Sequence, residues 1–260
     1  STTAPFADRQ NAGLVAAALG CEEEVATLDI GGSARCGTSG LITAVRSSFD
    51  GDRGILLAAA ERSLARTGST AELTSADAAA AFVLGSGKGI ATVLGFAQRS
   101  VDFVDHYRAV DHAFNYGWEE RWIRDEGYGK LVPPVVAEAL SAAGVAAADI
   151  DCFILPGPTP AIAANLARRI GIREEAVADG LFAEVGFSGA AHPLLMLAKA
   201  LEDATGGERI LVVGFGQGVD ALVLETAADV ADHRPVPTIA HQIAGGVSTG
   251  GYMRFLAFNK

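Results

Sequence analysis

The sequence predicts an α/β protein, and three observations lead there. Continuous apolar runs at residues 54–60, 89–97 and 209–214 have the length and character of buried strands. Helical segments alternate with them through most of the chain. Glycine-rich bends mark the points where strand passes into helix or into the next strand, at residues 31–37 and 214–218.

In chain order, residues 8–19 read as an alanine-rich helix ended by Gly20, residues 25–30 as a strand, and residues 39–48 as a helix. The run at 54–60 is expected to be a buried parallel strand. Residues 72–81 form a loop entering a strand at 78–84, and 89–97 is a further strand after the Gly85-Ser86-Gly87 turn. Residues 102–130 change character. They carry both tryptophans and most of the tyrosines, and read as an insertion with short helices that covers a cleft or an interface. Alternation then resumes: helix 131–143, strand 151–155, helix 160–170, helix 188–204, strand 209–214 and strand 219–226. The tail is a loop followed by a short amphipathic piece at 252–258. The organisation expected is an N-terminal half (1–100), an aromatic insertion (101–130), a C-terminal half (131–226) and a tail (227–260).

With 260 residues, 50% of them hydrophobic, the chain has the means to bury a large core, as one domain or as two fused halves. A net charge of −11 argues against nucleic acid as a partner. It leaves room for a nucleotide-bearing thioester such as coenzyme A, which needs few cations. Cys21, Cys36 and Cys152 lie far apart without metal-ligand spacing, so no disulfide framework and no metal site is expected, and the setting is read as reducing and cytoplasmic. No signal peptide is evident, and no apolar run reaches the roughly 20 residues of a membrane span. The chain starts at Ser1 and its first methionine is Met196; loss of an initiator methionine and excision from a longer protein both fit.

The most informative stretch is Asp29-Ile30-Gly31-Gly32-Ser33-Ala34-Arg35-Cys36-Gly37-Thr38. A glycine-rich bend before a helix brings backbone close to a ligand and leaves amide N–H groups free. Enzymes place nucleophiles there, because the helix start lowers a thiol's pKa and the amides stabilise an oxyanion. Cys36 is the one cysteine near the bend, with two readings: a nucleophile for a thioester, or a small buried filler. Gly85-Ser86-Gly87-Lys88-Gly89 lacks the spacing of a phosphate loop and reads as a turn.

The order of elements around this bend resembles the thiolase superfamily, in particular 3-hydroxy-3-methylglutaryl-CoA synthases and type III 3-oxoacyl-(acyl carrier protein) synthases. The matching pieces are the approach through Leu28-Asp29-Ile30, the run Ser75-Ala76-Asp77-Ala78-Ala79-Ala80, the lead Asp149-Ile150-Asp151, the turn at 185–191, and Gly214-Phe215-Gly216-Gln217-Gly218. The resemblance implies a layered α/β/α/β/α fold. It also implies that the first strand-helix units of the N-terminal half, with the general-base glutamate of the synthases, are missing from this chain. The tail Tyr252-Met253-Arg254-Phe255-Leu256 looks like members partnered by a zinc-ribbon OB-fold protein.

The departures are specific. The nucleophilic cysteine of the resembling proteins falls here on Ala34, five residues after Asp29. Their histidine falls on or next to Pro156 in Leu155-Pro156-Gly157-Pro158, and their asparagine at about Val185. The residues left to act are Cys36, His192 as acid or base after a bend, and Tyr252, since some thiolase-like proteins without the cysteine resemble retro-aldolases that use tyrosine for proton transfer. Tyr107, Tyr116 and Tyr128 are equivalent by sequence. Ala34, Gly37, Gly216 and Gly218 are the expected oxyanion and substrate-binding positions, with Arg35 a ligand for a CoA phosphate or a surface ion pair. His106 and His112, among Asp102, Asp105 and Asp111, read as a solvated polar loop.

Two functions remain open. One is an acyl-CoA enzyme making or breaking a carbon–carbon bond, by acyl transfer or, without the cysteine, by retro-aldol chemistry. The other is a non-catalytic thiolase-like subunit that binds acyl-CoA or a partner. The expected partners are acyl-CoA as substrate, a second copy in a homodimer and a zinc-ribbon OB-fold protein, with no cofactor, nucleic acid or membrane.

Overall fold

The computed structural model describes residues 1–48, 54–157, 159–248 and 250–258; Pro158 of the expected histidine region lies outside the described residues. The first helix, α1 (Asn11–Ala18), is capped from a distance. Asp29 accepts the amide N–H of Asn11 and of Ala12, each at 2.7 Å, and these bonds hold its carboxyl below the usual carboxylate range. Residues 25–30, expected as a strand, run without strand pairing, and Leu28 is 68% exposed. An apolar, extended sequence forms a strand only where a neighbour takes up its amides, and no described segment lies beside this one in register.

The helix after the bend, α2 (Cys36–Ser47), begins three residues earlier than the sequence suggests, because Ser33 O already accepts the Cys36 N–H at 3.0 Å. Its Gly40 lies against Ile30 and Leu57. Leu57 belongs to β1 (Ile55–Arg62), which is followed by α3 (Thr70–Thr74) and β2 (Asp77–Leu84). β1 and β2 pair antiparallel from Ile55↔Leu84 to Arg62↔Asp77. The expectation of a buried parallel strand at β1 is therefore corrected: its sheet is antiparallel and one-sided. Leu57 and Ala59 pack inward, whereas Leu56 and, on β2, Val83 are exposed.

The second half holds a complete sheet. β3 (Ala91–Ser100) leads into a small hairpin of β4 (His106–Tyr107) and β5 (Tyr116–Gly117). One helical column then runs through α4 (Glu120–Trp122), a π-helical turn (Ile123–Tyr128) and α5 (Gly129–Ala143). Pro133 lies inside α5 and offers no N–H to the Gly129 carbonyl; Arg169 donates to that carbonyl instead, at 2.8 Å. After β6 (Cys152–Ile154) come α6 (Pro160–Ile170), α7 (His192–Asp203), β7 (Arg209–Phe215) and β8 (Gly218–Thr226), then α8 (Ile239–Ala244) and α9 (Tyr252–Phe258). The sheet order is β3-β8-β7-β6, with β6 parallel to β7 and the other pairs antiparallel.

Alternation along β7 and β8 defines the layers. Leu211, Val213, Ala221 and Val223 face α5 and α6, where Val132, Val135, Val136 and Leu166 close one core. Ile210, Val212, Leu222 and Leu224 face the opposite side, where Leu41 and Ile42 of α2 and Leu194 and Leu197 of α7 form the other. Each fully buried aliphatic side chain of this kind contributes about 1.5–3 kcal/mol. Beyond α2 and α7 the inner face of the β1–β2 sheet completes the second core through Leu57, Ala78 and Ala80. The order is thus helix, sheet, helix, sheet, with the outer face of the last sheet open. That is the predicted mixed α/β architecture. No helix among the described residues is long and apolar enough to cross a membrane.

Candidate functional site

The two glycine-rich segments meet. The turn between β7 and β8 lies directly against the bend before α2: a Cβ on Gly216 would stand 2.8 Å from Ala34 Cβ and 3.0 Å from the Ala34 and Arg35 amide nitrogens. Only glycine permits this approach. Gly214 serves a similar purpose one step earlier, where a Cβ would stand 2.0 Å from Thr38 Oγ1. The junction is stitched by hydrogen bonds. Ser33 Oγ donates to Gly216 O at 2.6 Å, and Arg35 Nε donates to the same oxygen at 3.1 Å.

Beneath the junction lies a buried polar network. Asp220, fully buried on β8, accepts from Arg35 Nη1 at 2.7 Å, Gln98 Nε2 at 2.9 Å, Thr38 Oγ1 at 2.9 Å and Ser39 Oγ at 2.6 Å. Arg35 also donates to Ser39 Oγ and Ser100 Oγ. Every donor of the cluster has a partner, which such a buried ion pair requires. A hollow of about 350 Å³ opens beside it, lined by Ser33, Arg35, Ser100, Val101, Asp102 and Gln217. Gln217 holds a left-handed backbone at φ 50°, uncommon for a residue with a Cβ.

The sequence-derived positions divide. Ala34 and Gly216 are brought into contact, and the Ala34 N–H has no hydrogen-bond partner among the described residues. The Gly216 N–H is occupied within its own turn, donating to Gly218 O at 3.0 Å, so it is not the free amide that the sequence suggests. Gly218 opens β8 opposite Ser100. Gly37 is buried in α2 and backs onto the Ala190 carbonyl rather than the glycine turn. Arg35 is 8% exposed and committed to Asp220, which replaces the surface ion pair expected of it.

Cys36 is 3% exposed in the first turn of α2, and burial pushes its thiol pKa up, away from the thiolate a nucleophile needs. His192 is fully buried at the start of α7. Its Nε2 donates to Gly180 O at 2.8 Å and its Nδ1 accepts the Ser188 N–H at 3.2 Å, while Phe182 and Phe187 flank the ring. Burial lowers its pKa, so it sits neutral with both nitrogens used. Tyr252, on α9, is 51% exposed and donates to Glu72 Oε2 at 2.9 Å. Tyr128 is buried instead, stacked on Phe215 at 4.0 Å, with its hydroxyl pointing to Pro156 O at 3.5 Å. Val185 is half-buried and packs against the second core. No group of three or more metal-ligating side chains gathers among the described residues.

Sequence reasoning missed Asp220, Ser33, Ser100, Gln98 and Gln217. A signal for Asp220 exists: it is the one carboxylate in the apolar run Val219-Asp220-Ala221-Leu222-Val223-Leu224, where a buried charge demands a buried cation.

The comparisons agree with this fold. The model of the 3-oxoacyl-[acyl-carrier-protein] synthase III C-terminal family matches residues 140–225. Hydroxymethylglutaryl-CoA synthase of Aeropyrum pernix is 27% identical over 242 residues, covering 91% of this chain and 66% of its own length, so the chain spans just under two thirds of that relative. Among solved structures, 3-oxoacyl-(acyl carrier protein) synthase III of Pseudomonas aeruginosa superposes with a TM-score of 0.75 at 23% identity, over 87% of this chain and 74% of that one. An HMG-CoA synthase complexed with CoA gives 0.77 at 15% identity, over 92% and 66%. The chain therefore has the thiolase-like fold, with hydroxymethylglutaryl-CoA synthases and type III 3-oxoacyl-ACP synthases among its relatives.

Proposed function

We propose that this chain is the thioester-handling part of a thiolase-superfamily enzyme that makes or breaks a carbon–carbon bond beside an acyl-CoA thioester, without an acyl-enzyme. The observation that carries the reading is the unpartnered Ala34 N–H, at the start of a helix and pressed against the glycine turn. An amide so placed suits the oxygen of an enolate thioester. The relatives support it by their names, as a hydroxymethylglutaryl-CoA synthase and as an HMG-CoA synthase complexed with CoA. A methyl group at Ala34 and a buried, protonated Cys36 both weigh against covalent acyl transfer and toward retro-aldol chemistry.

The protein is expected to act in the cytoplasm as a homodimer, with a zinc-ribbon OB-fold protein as further partner. The homodimer suits the open outer face of the β1–β2 sheet, where Leu56 and Val83 stay exposed. A second reading is a binding subunit without chemistry. It is favoured by the state of His192, whose nitrogens are both engaged.

One experiment separates these. The protein is incubated with acetyl-CoA, and three things are followed: intact mass, binding heat, and cleavage of a 3-hydroxyacyl-CoA. Binding with cleavage and no mass gain supports the proposal. Binding without cleavage selects the subunit reading. An acetyl group on Cys36 refutes both.

A further inference from the structure

We infer that His106, oriented by Asp105, is the proton-transfer residue of this site. The inference rests on the thioester reading and supplies the base that reading lacks. Asp105 Oδ2 and His106 Nδ1 are 2.9 Å apart, and Asp105 is the more buried of the two. Asp105 is itself fixed, since its carbonyl accepts the Trp118 N–H at 2.9 Å across the β4–β5 hairpin. The carboxylate assigns the proton to Nδ1 and leaves Nε2 as the lone-pair nitrogen; no described residue bonds to Nε2.

Two sets of contacts tie this dyad to the bend and the turn. Arg108, two residues on, donates to Thr2 O at 2.7 Å, and Thr2 donates to both carboxylate oxygens of Glu61, at 2.9 and 2.7 Å. Glu61 is 4% exposed, and Ser1, next to Thr2, donates to Ile30 O at 3.2 Å at the foot of the bend. On the other side Tyr128 stacks on Phe215, and its hydroxyl meets Pro156 O, at the place where the resemblance expects a histidine. The hairpin is also braced by a ladder of rings. Tyr107, Tyr116, Trp118, Trp122, Phe103 and Phe215 follow one another at centroid separations of 4.3–6.3 Å, and Phe215 immediately precedes Gly216. The dyad thus stands on an element packed down to the glycine turn, which a solvated polar loop does not explain.

The hydrogen bond that His106 Nδ1–H donates to Asp105 raises the His106 pKa above the ordinary histidine value; burial opposes this, and the charges of Asp105 and Glu61 add to it. In the step assigned, His106 Nε2 takes a proton from the carbon next to the thioester carbonyl. The C–H electron pair becomes the enolate, whose oxygen the Ala34 N–H receives. In reverse the imidazolium returns the proton to that carbon.

Acetyl-CoA in heavy water reads this step without knowledge of the second substrate, because each cycle puts deuterium on the acetyl methyl. The expected result is exchange by the wild type that falls about 10²–10⁴-fold in His106→Asn, which keeps a donor toward Asp105, with acetyl-CoA affinity unchanged within about threefold. Asp105→Asn moves the acid limb of the exchange profile to lower pH, and the His106 ring resonance follows it. Circular dichroism and the His106→Gln variant guard against a folding defect. Binding of acetyl-CoA without exchange, or exchange that survives both His106 variants, overturns the assignment and leaves the thioester site standing. Failure to bind acetyl-CoA at all removes the thioester reading and this assignment with it.

Discussion

Replacing Asp220 by asparagine tests whether the junction of bend and turn is held from below. The carboxylate is fully buried and faces Arg35, itself 8% exposed, at 2.7 Å. The amide keeps the shape and one acceptor oxygen for Arg35 and Gln98, and the hydroxyls of Thr38 and Ser39 are free to turn toward its NH₂. What disappears is the counter-charge, so a guanidinium is left uncompensated in the interior. Breaking a buried pair in this way costs about 3–5 kcal/mol, against about 0–1 kcal/mol for an exposed pair. For a chain of this size each kcal/mol moves the melting temperature by about 2–4 °C, so Asp220→Asn is expected to melt about 6–20 °C lower. The loss should be nearly independent of added salt, because neither partner is screened by water. Thermal and urea unfolding measure it, with Lys88→Ala as the exposed control, since Lys88 pairs with Asp229 at the surface. A cost for Asp220→Asn below about 1 kcal/mol, or one that salt erases, would refute the argument that the pair is a buried clamp.

Three other outcomes follow from the same geometry. Gly216→Ala should cost about 1–3 kcal/mol and weaken acetyl-CoA binding, since its methyl group would enter the Ala34 contact at 2.8 Å; calorimetry that finds binding intact counts against the bend as the thioester site. Ala34→Cys should react with iodoacetamide at neutral pH far faster than Cys36, because it sits at the mouth of α2 whereas Cys36 is buried with a raised pKa; equal labelling rates would count against it. His192 has its pKa lowered in the fold, so the unfolded chain binds the extra proton first. Its contribution to stability is then complete above about pH 6.5 and lost as pH falls through the lowered value, and His192→Gln should flatten that part of the pH–stability curve.

Much of the fold was legible because strands buried on both faces advertise themselves. The run Arg209-Ile210-Leu211-Val212-Val213-Gly214 became β7 almost to the residue, and α6 spans the expected Pro160–Ile170. Where burial depends on a neighbour, the sequence misled. Residues 25–30 carry strand-like chemistry without a pairing partner, and β1 looks fully buried yet keeps one face open, since apolar composition does not say which layers are present. The bend was recognisable from its glycines, and so was the alanine at its tip. Its supports were not, because they come from residues 65 to 185 positions away: Ser100, Asp220 and Gly216 reach Arg35 only through the packing of β3 and β8 on α2. His106 was undervalued for the same reason, since a histidine in a polar loop acquires meaning only from what the hairpin rests on.

The strongest argument that this junction still serves a ligand is what a purely structural one would not retain. A scaffold needs the Arg35–Asp220 pair and the close approach of Gly216; both reward packing. It gains little from the Ala34 N–H, which at half exposure and at a helix start is open to water or ligand alike. Nor does it gain from holding Gln217 in a left-handed conformation at φ 50°, which costs about 1 kcal/mol or more where glycine on either side shows how readily the turn admits that residue. Gln217 is also one of the side chains that line the hollow beside Ser33 and Ser100. A local cost that carries a polar side chain to an opening beside the bend is what a binding site accumulates and a filler loop loses.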